Sequence, residues 1–297
     1  MATSVLGLKT FTASDPVDYN EINDNYNKID NGVKTAMQGR AAHNLLDNSD
    51  FTNPVNQRGQ TSYTGNVYTI DRWKLNANTL NVGSDGITLV AGDSSSAVLT
   101  QYISGLRDGT YTQALNVNGT IYTRIIQLSG STITTIDGSN AAYTGGYVSC
   151  TVSGSGYFSF QIRANAGYSI TVRWAALYEG SYTADTLPAY QPKGYAAELA
   201  ECQRYYRRFI NSAPAMSIAA TAIEAEMPLE PPMRVVPTIT INSVGPAYTP
   251  EGTKSLSGNY SATNTVNKAG YVFYTENIGI GLSCLITGID GYLSADL

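Results

Sequence analysis

The sequence predicts a mainly β protein. It reads as an antiparallel jelly-roll sandwich followed by a small C-terminal β domain, with a short N-terminal helix able to form a coiled coil and a second, connecting helix. Three observations predict this. Between about Asn44 and Pro192, short β-like runs such as "YTIDRWKL", "SAVLTQYI", "TIYTRIIQL" and "GYFSFQIRA" are separated by Gly, Asp, Asn and Ser clusters, with no amphipathic helix between them. Charged residues make up only 14% of the chain, while Tyr reaches 22 and Gly 28, a balance suited to pleated surfaces and turns. Apolar residues spaced three and four apart are confined to two stretches flanking the sandwich region.

The first such stretch is "SDPVDYNEINDNYNKIDNGVKTAMQGR". Asp15 can N-cap, Pro16 suits the first helical position and Asp18 favours the positive helix terminus. Tyr19, Ile22, Tyr26, Ile29, Val33 and Ala36 then form a narrow a/d stripe. The helix also carries Asn20, Asn23, Asn25, Asn27, Asn31 and Gly32, all weak helix formers. It therefore needs a partner, either other copies in a self-associating stalk or its own domain. Eight or so strands follow, enough for a jelly roll.

In the second stretch, "YAAELAECQRYYRRF", Tyr195, Leu199, Cys202, Tyr206 and Phe209 share one helical face. Arg204, Arg207 and Arg208 read as a solvated C-terminal helix end. Beyond it, Ile223, Ala225, Met227 and Leu229 alternate with Glu224, Glu226 and prolines. "VVPTITI", "GYVFYTE" and "IGLSCLIT" complete a small β domain. The expected boundaries are 1–43, 44–192, 193–210 and 211–297.

Several chemistries find little support. A net charge of −5 argues against a nucleic-acid partner. No run approaches the roughly 20 apolar residues of a membrane span, so no membrane insertion is expected. The N-terminus lacks the pattern of a signal peptide. Cys150, Cys202 and Cys284 have neither disulfide-framework nor zinc spacing, which implies free thiols in a reducing cytosol. His43 is the only histidine and no cysteine lies near it in sequence.

Asp47 to Asp50 ("DNSD") could contribute to an all-oxygen Ca²⁺ site, but turn chemistry explains such clusters more often. No metal or cofactor is expected. Glu224 and Glu226 fall on one face of a strand about 6–7 Å apart, a separation compatible with glycoside hydrolysis and equally with a solvent-facing strand edge. Trp73 and Trp174 read as core. Cys202, on the apolar stripe, reads as a buried and inert thiol. Tyrosines in loop-rich C-terminal sequence, Tyr248, Tyr260, Tyr271, Tyr274 and Tyr292, are the candidate ligand-binding residues, since Tyr offers a rigid apolar face with a polar tip.

In order along the chain, "NLLDNSDF", "NQRG", "DRWKL", "WAALYEGSYT", "ELAECQRYYRRF" and "PPMRVVPTITI" resemble a family of bacteriophage and prophage tail-fibre, receptor-binding or minor tail proteins. In that family a carbohydrate-binding-module-like jelly roll precedes a short helix and a small β domain. "DYNEINDNYNKID" is similar to the helical tail-attachment segment of such fibres. The resemblance implies a homotrimeric virion component, assembled in the bacterial host cytoplasm, that joins other tail or baseplate proteins and contacts host cell-surface polysaccharide. It implies no catalytic residues. The brief stalk departs from long fibres and points to a compact receptor-binding protein. Two alternatives remain: a structural tail or baseplate protein that docks its neighbours without binding glycan, and a capsule depolymerase, which the lack of a long β-solenoid repeat disfavours.

Overall fold

The computed structural model describes residues 8, 18–38, 42–138, 142–154, 156–257 and 260–296. Helix α1 (Tyr19–Gln38) is the first element among the described residues. Asp18 caps it: its Oδ1 accepts the Asn20 N–H at 2.9 Å, and its carbonyl accepts the Ile22 N–H. The expected capping pair Asp15 and Pro16 lies outside the described residues. Tyr19, Tyr26, Ile29 and Val33 are exposed and Ile22 is half-buried, so the stripe is not sunk into the chain's own core. Ala36 belongs to α1, but its side chain lies outside the described residues.

The jelly-roll sandwich follows. Its strands are β1 (Ser62–Thr64), β2 (Val67–Tyr68), β3 (Lys74–Leu75), β4 (Thr79–Gly83), β5 (Gly86–Val90), β6 (Ala97–Ile103) and β7 (Gly109–Val117). They continue with β8 (Thr120–Ser129), β9 (Thr132–Asp137), β10 (Ala142–Tyr143), β11 (Gly146–Val152), β12 (Phe158–Ala164) and β13 (Ser169–Glu179). One sheet runs β1-β4-β5-β13-β7-β8-β9 and the other β10-β11-β12-β6-β3-β2. Period-two patterning fills the space between them. Phe158, Phe160, Ile162 and Ala164 on β12 face inward and meet Leu80, Ile87, Leu115 and Ile126 of the opposite sheet in one cluster.

Strand β13 shows how a single residue redirects side chains. A bulge between Val172 and Trp174 shifts the parity, so Ile170 and Val172 before it, and Ala175 and Leu177 after it, all point into the core. Trp174 is thereby turned to the outer face, where it stacks on Tyr190 at 4.7 Å and 4°. It packs there, half-buried, against a second and smaller core cluster of Ala114, Ala176, Tyr178 and Leu187, rather than between the two sheets. Trp73 does sit in the core, fully buried, edge-on to Phe51 and Phe160, and its indole N–H donates to the Asn48 carbonyl at 2.8 Å.

Helix α2 (Tyr195–Cys202) is shorter than its sequence suggests. The chain then turns at Gln203–Tyr205 and becomes strand β14 (Tyr206–Ala219), so Tyr206 and Phe209 lie on a strand and not on the helical face. The connecting helix expected at 193–210 is corrected accordingly. Tyr195 is exposed, and the buried residues of α2 are Glu198 and Cys202. Glu198 is held because its carboxylate accepts the Asn48 backbone N–H, tying α2 under the sandwich. Arg207 is also buried and donates to the Pro231 carbonyl at 2.9 Å, so the three arginines are not one solvated helix end.

The remaining strands are β15 (Ala222–Pro228), β16 (Thr238–Ser243), β17 (Ala247–Thr249), β18 (Gly252–Lys254), β19 (Tyr260–Asn264), β20 (Lys268–Tyr274) and β21 (Ser283–Ser294). They join β14 in a sheet ordered β18-β17-β21-β14-β15-β20-β19, with β16 also pairing β21. Strand β21 is its spine, pairing β14 along one edge and β16 and β17 along the other. The core of this domain gathers Phe209, Ile223, Phe273, Ile286, Ile289 and Leu293. Among the described residues most of the regular structure is strand, with two helices, which establishes the mainly β class.

Candidate functional site: a cleft between sandwich and C-terminal domain

The "NQRG" segment ends the entry to β1, and Arg58 reaches from it across to the C-terminal domain. Its Nη1 meets Asp71 Oδ1 at 3.0 Å and its Nη2 meets Asp296 Oδ2 at 2.6 Å. The guanidinium also lies over the Tyr206 ring, 3.8 Å from the centroid. Gln57 reinforces the seam, its Nε2 donating to Asp71 Oδ2 at 2.8 Å and to the Tyr206 carbonyl at 2.7 Å. Above this seam opens a cleft of about 610 Å³.

One wall is the β1–β2 edge of the sandwich, with Gln60, Thr64 and Tyr68; the other is built by β14, β16 and β21, with Arg208, Asn242, Tyr292 and Ser294. Tyr292 stacks on Tyr206 with centroids 5.5 Å apart and planes at 29°. Residues 206 and 294 are register partners, as are 208 and 292, and this pairing places both aromatics at one end of the C-terminal sheet.

The electrostatics of the floor are unusual because one cation serves two buried carboxylates. Burial pushes Asp71 up to about 6, against the opposing pull of Arg58. Burial likewise raises Asp296, with Arg58 again opposing. Asp296 Oδ1 is buried and has no hydrogen-bond partner. Arg208 leans towards Asp290, with Nε 3.6 Å from Oδ1.

The predicted tyrosines scatter. Tyr292 lines the cleft. Tyr274 is exposed and lines a separate depression of about 560 Å³ with Lys254, Ser255 and Glu276. Tyr248 is exposed on β17, directly opposite Leu285. Tyr260 is half-buried and structural: its hydroxyl donates to the Ile239 carbonyl and accepts the Ile241 N–H. Tyr271 is fully buried against Phe209 and Phe273, so it is withdrawn from the ligand-binding set.

The other candidates resolve into structure. The DNSD turn is a joint: Asn48, at φ 48°, bonds Val55 and the Asp71 carbonyl through its side chain, and Asp50 Oδ1 accepts the Thr52 N–H. Asp47, Glu198 and Glu201 converge, with carboxylate oxygens within 4.8 Å of one another. Arg72 and Lys193 sit against this trio, with Arg72 Nε 3.0 Å from Asp47 and Lys193 Nζ 2.6 Å from Glu201, and make it an ion-pair network. Glu226 pairs with Lys268 at the surface, which suits a solvent-facing strand.

Arg58, Tyr68, Tyr206, Arg208 and Asp296 were not anticipated as a site. Their sequence signals are separate, "NQRG" holding Arg58 and "YYRRF" holding Tyr206 and Arg208, and nothing in sequence joins them, because the partners of Arg58 lie 13 and 238 positions away. Compared with known proteins, the chain matches no family model, no curated protein and no solved structure.

Proposed function

We propose that this chain is a bacteriophage tail-fibre or receptor-binding protein: a homotrimeric virion component that is joined through α1 and recognises host cell-surface polysaccharide without cleaving it. The observation that carries the reading is the exposed α1 stripe. Tyr19 is 76% exposed, Tyr26 67% and Val33 51%, on a helix weakened by Asn20, Asn23, Asn25, Asn27, Asn31 and Gly32. Such a helix gains its stability from burial against partners, and a/d spacing suits parallel copies of itself. The β body behind it, with exposed Tyr248 and Tyr274 on its C-terminal domain, supplies candidate recognition surface, and three linked copies multiply weak sugar contacts into useful avidity. The test is binding of the full-length protein to host envelope fractions, compared with a chain lacking residues 211–297. Retained binding by the truncated chain would overturn the role given to the C-terminal domain.

A specific observation favours a second reading, a structural tail or baseplate protein. Outward-facing Ile210, Met216 and Ile218 on β14, with Leu285 beside them on β21, form an exposed apolar strip. Such a strip fits a neighbouring protein better than a sugar. Tight binding to a tail component, with no retention on any envelope fraction, would support this reading over the first.

A further inference from the structure

The interdomain cleft carries three features of a saccharide site. Its volume, about 610 Å³, lies in the range of small-molecule pockets and would admit one or two sugar rings. Tyr68 and Tyr292 are half-buried, rigid aromatic side chains on opposite walls; Tyr292 stacks on Tyr206, and Arg58 and Lys74 each lie 5.5 Å from the Tyr68 ring centroid. Asp296, only 7% exposed, lines the cleft with its Oδ1 lacking a partner. Buried acceptors are ordinarily partnered; Asn264 and Asp290 also leave a buried oxygen without a hydrogen-bond partner, and of the three only Asp296 lines the cleft. A hydroxyl is the simplest donor that fits.

We propose that this seam is a binding site for a neutral saccharide, which lays a ring against Tyr292 or Tyr68 and donates a hydroxyl to Asp296 Oδ1. The inference rests on the reading of the chain as glycan-binding, and it moves recognition from the outer surface of the C-terminal domain to the junction of the two domains. Neutrality follows from how the charges are committed. Arg58 is shared between Asp71 and Asp296, and Arg208 faces Asp290. On the floor, an anionic sugar would find the Arg58 guanidinium already paired with two carboxylates, whose charge would repel it. Hydroxyls, by contrast, find donors and acceptors in Gln60, Thr64, Asn242 and Ser294. Because the walls belong to different domains, neither domain alone would reproduce the site.

The test is saturation-transfer NMR on the full-length protein with two sets of probes. One set holds neutral oligosaccharides of glucose, galactose and rhamnose, and the other holds matched oligosaccharides containing glucuronate. Tyr292→Ala, Tyr68→Ala and Asp296→Asn are compared with the wild type, each checked for native near-ultraviolet dichroism; a Tyr248→Ala/Tyr274→Ala double variant serves as the outer-surface control. Binding of at least one neutral probe is expected, with affinity falling about tenfold in each cleft tyrosine variant and about threefold or more in Asp296→Asn. The control should bind as the wild type does. Since Tyr68 and Tyr292 lie on separate domains, misfolding of one variant leaves the other to decide. Wild-type affinity in the folded cleft variants, with loss in the control, would overturn the cleft while leaving glycan binding intact. Preference for the glucuronate set would overturn neutrality. No binding of any probe by the wild type would overturn the cleft proposal, and absence of retention on host envelope fractions as well would overturn the glycan reading with it.

Discussion

Arg58 and Asp296, 238 positions apart in sequence, meet at 2.6 Å, while the other end of the same guanidinium holds Asp71 at 3.0 Å. One side chain therefore stitches the edge of the sandwich to the last residues of the C-terminal domain. The Asp71 side chain is fully buried and that of Asp296 nearly so, so removing the cation strands two carboxylates. Arg58→Met is expected to cost about 3–5 kcal/mol, the usual penalty for breaking a buried pair from one side. Urea unfolding measures it, and a loss below about 1 kcal/mol would show that the seam does not hold the domains together.

The same seam gives a pH dependence of definite sign. Asp71 has an ordinary value of 3.8, and burial lifts it to about 6 in the folded protein. The folded state thus binds the proton more readily than the unfolded chain, and stability from this group declines as pH rises from about 4 to about 6. The difference is on the order of 2–3 kcal/mol. Asp296, also raised, acts in the same direction. The Asp71→Asn variant removes this titration. Its stability relative to wild type should therefore improve between about pH 4.5 and pH 7, read from urea midpoints at the two values. A constant difference would contradict the assignment.

Much of the fold was legible because burial in the sandwich follows period two: Phe158, Phe160 and Ile162 can be read inward from sequence alone. Strand β14 was not legible for the opposite reason. Its outward positions carry Ile210, Met216 and Ile218, and its inward ones include Ala213 and Ser217, so hydrophobic alternation points the wrong way. Tyr206 and Phe209 meanwhile continue the three-and-four spacing of α2 by coincidence. Tyr271 was misplaced because clustering in sequence says nothing of facing: its strand neighbours Val272 and Tyr274 look outward while it looks into the core. The cleft was invisible because its charges converge only through tertiary pairing.

Self-association through α1 is directly testable. Replacing Tyr26 and Ile29 with Glu places charge in the middle of the exposed stripe without touching the β body. The wild type is expected to show triple the 31.8 kDa chain mass by light scattering, and the double variant the single chain mass, with unchanged β-type circular dichroism. A trimer that survives the double substitution would move assembly to the β domains. A monomeric wild type would remove the stalk altogether.

The thiols give a final prediction, which returns to the charged stretch around α2. Cys202 is fully buried, and burial holds its thiol protonated; Asp71, Glu198 and Asp47 nearby add to the effect, and Arg72 opposes it weakly. Cys150 is pushed up to about 11 by burial despite Arg124, and Cys284 is raised as well. Since only the thiolate reacts, the native protein at about pH 8 should be nearly inert to a disulfide reagent, while the denatured chain releases all three equivalents. Fast native labelling of Cys202, located by peptide mapping, would mean that the arginines beside it activate a nucleophile. Slow labelling that tracks the urea transition would fix Cys202 as part of the packing between α2 and the sandwich. In that case Cys202→Ser, which adds a buried hydroxyl with no partner provided for it, should cost about 1–3 kcal/mol.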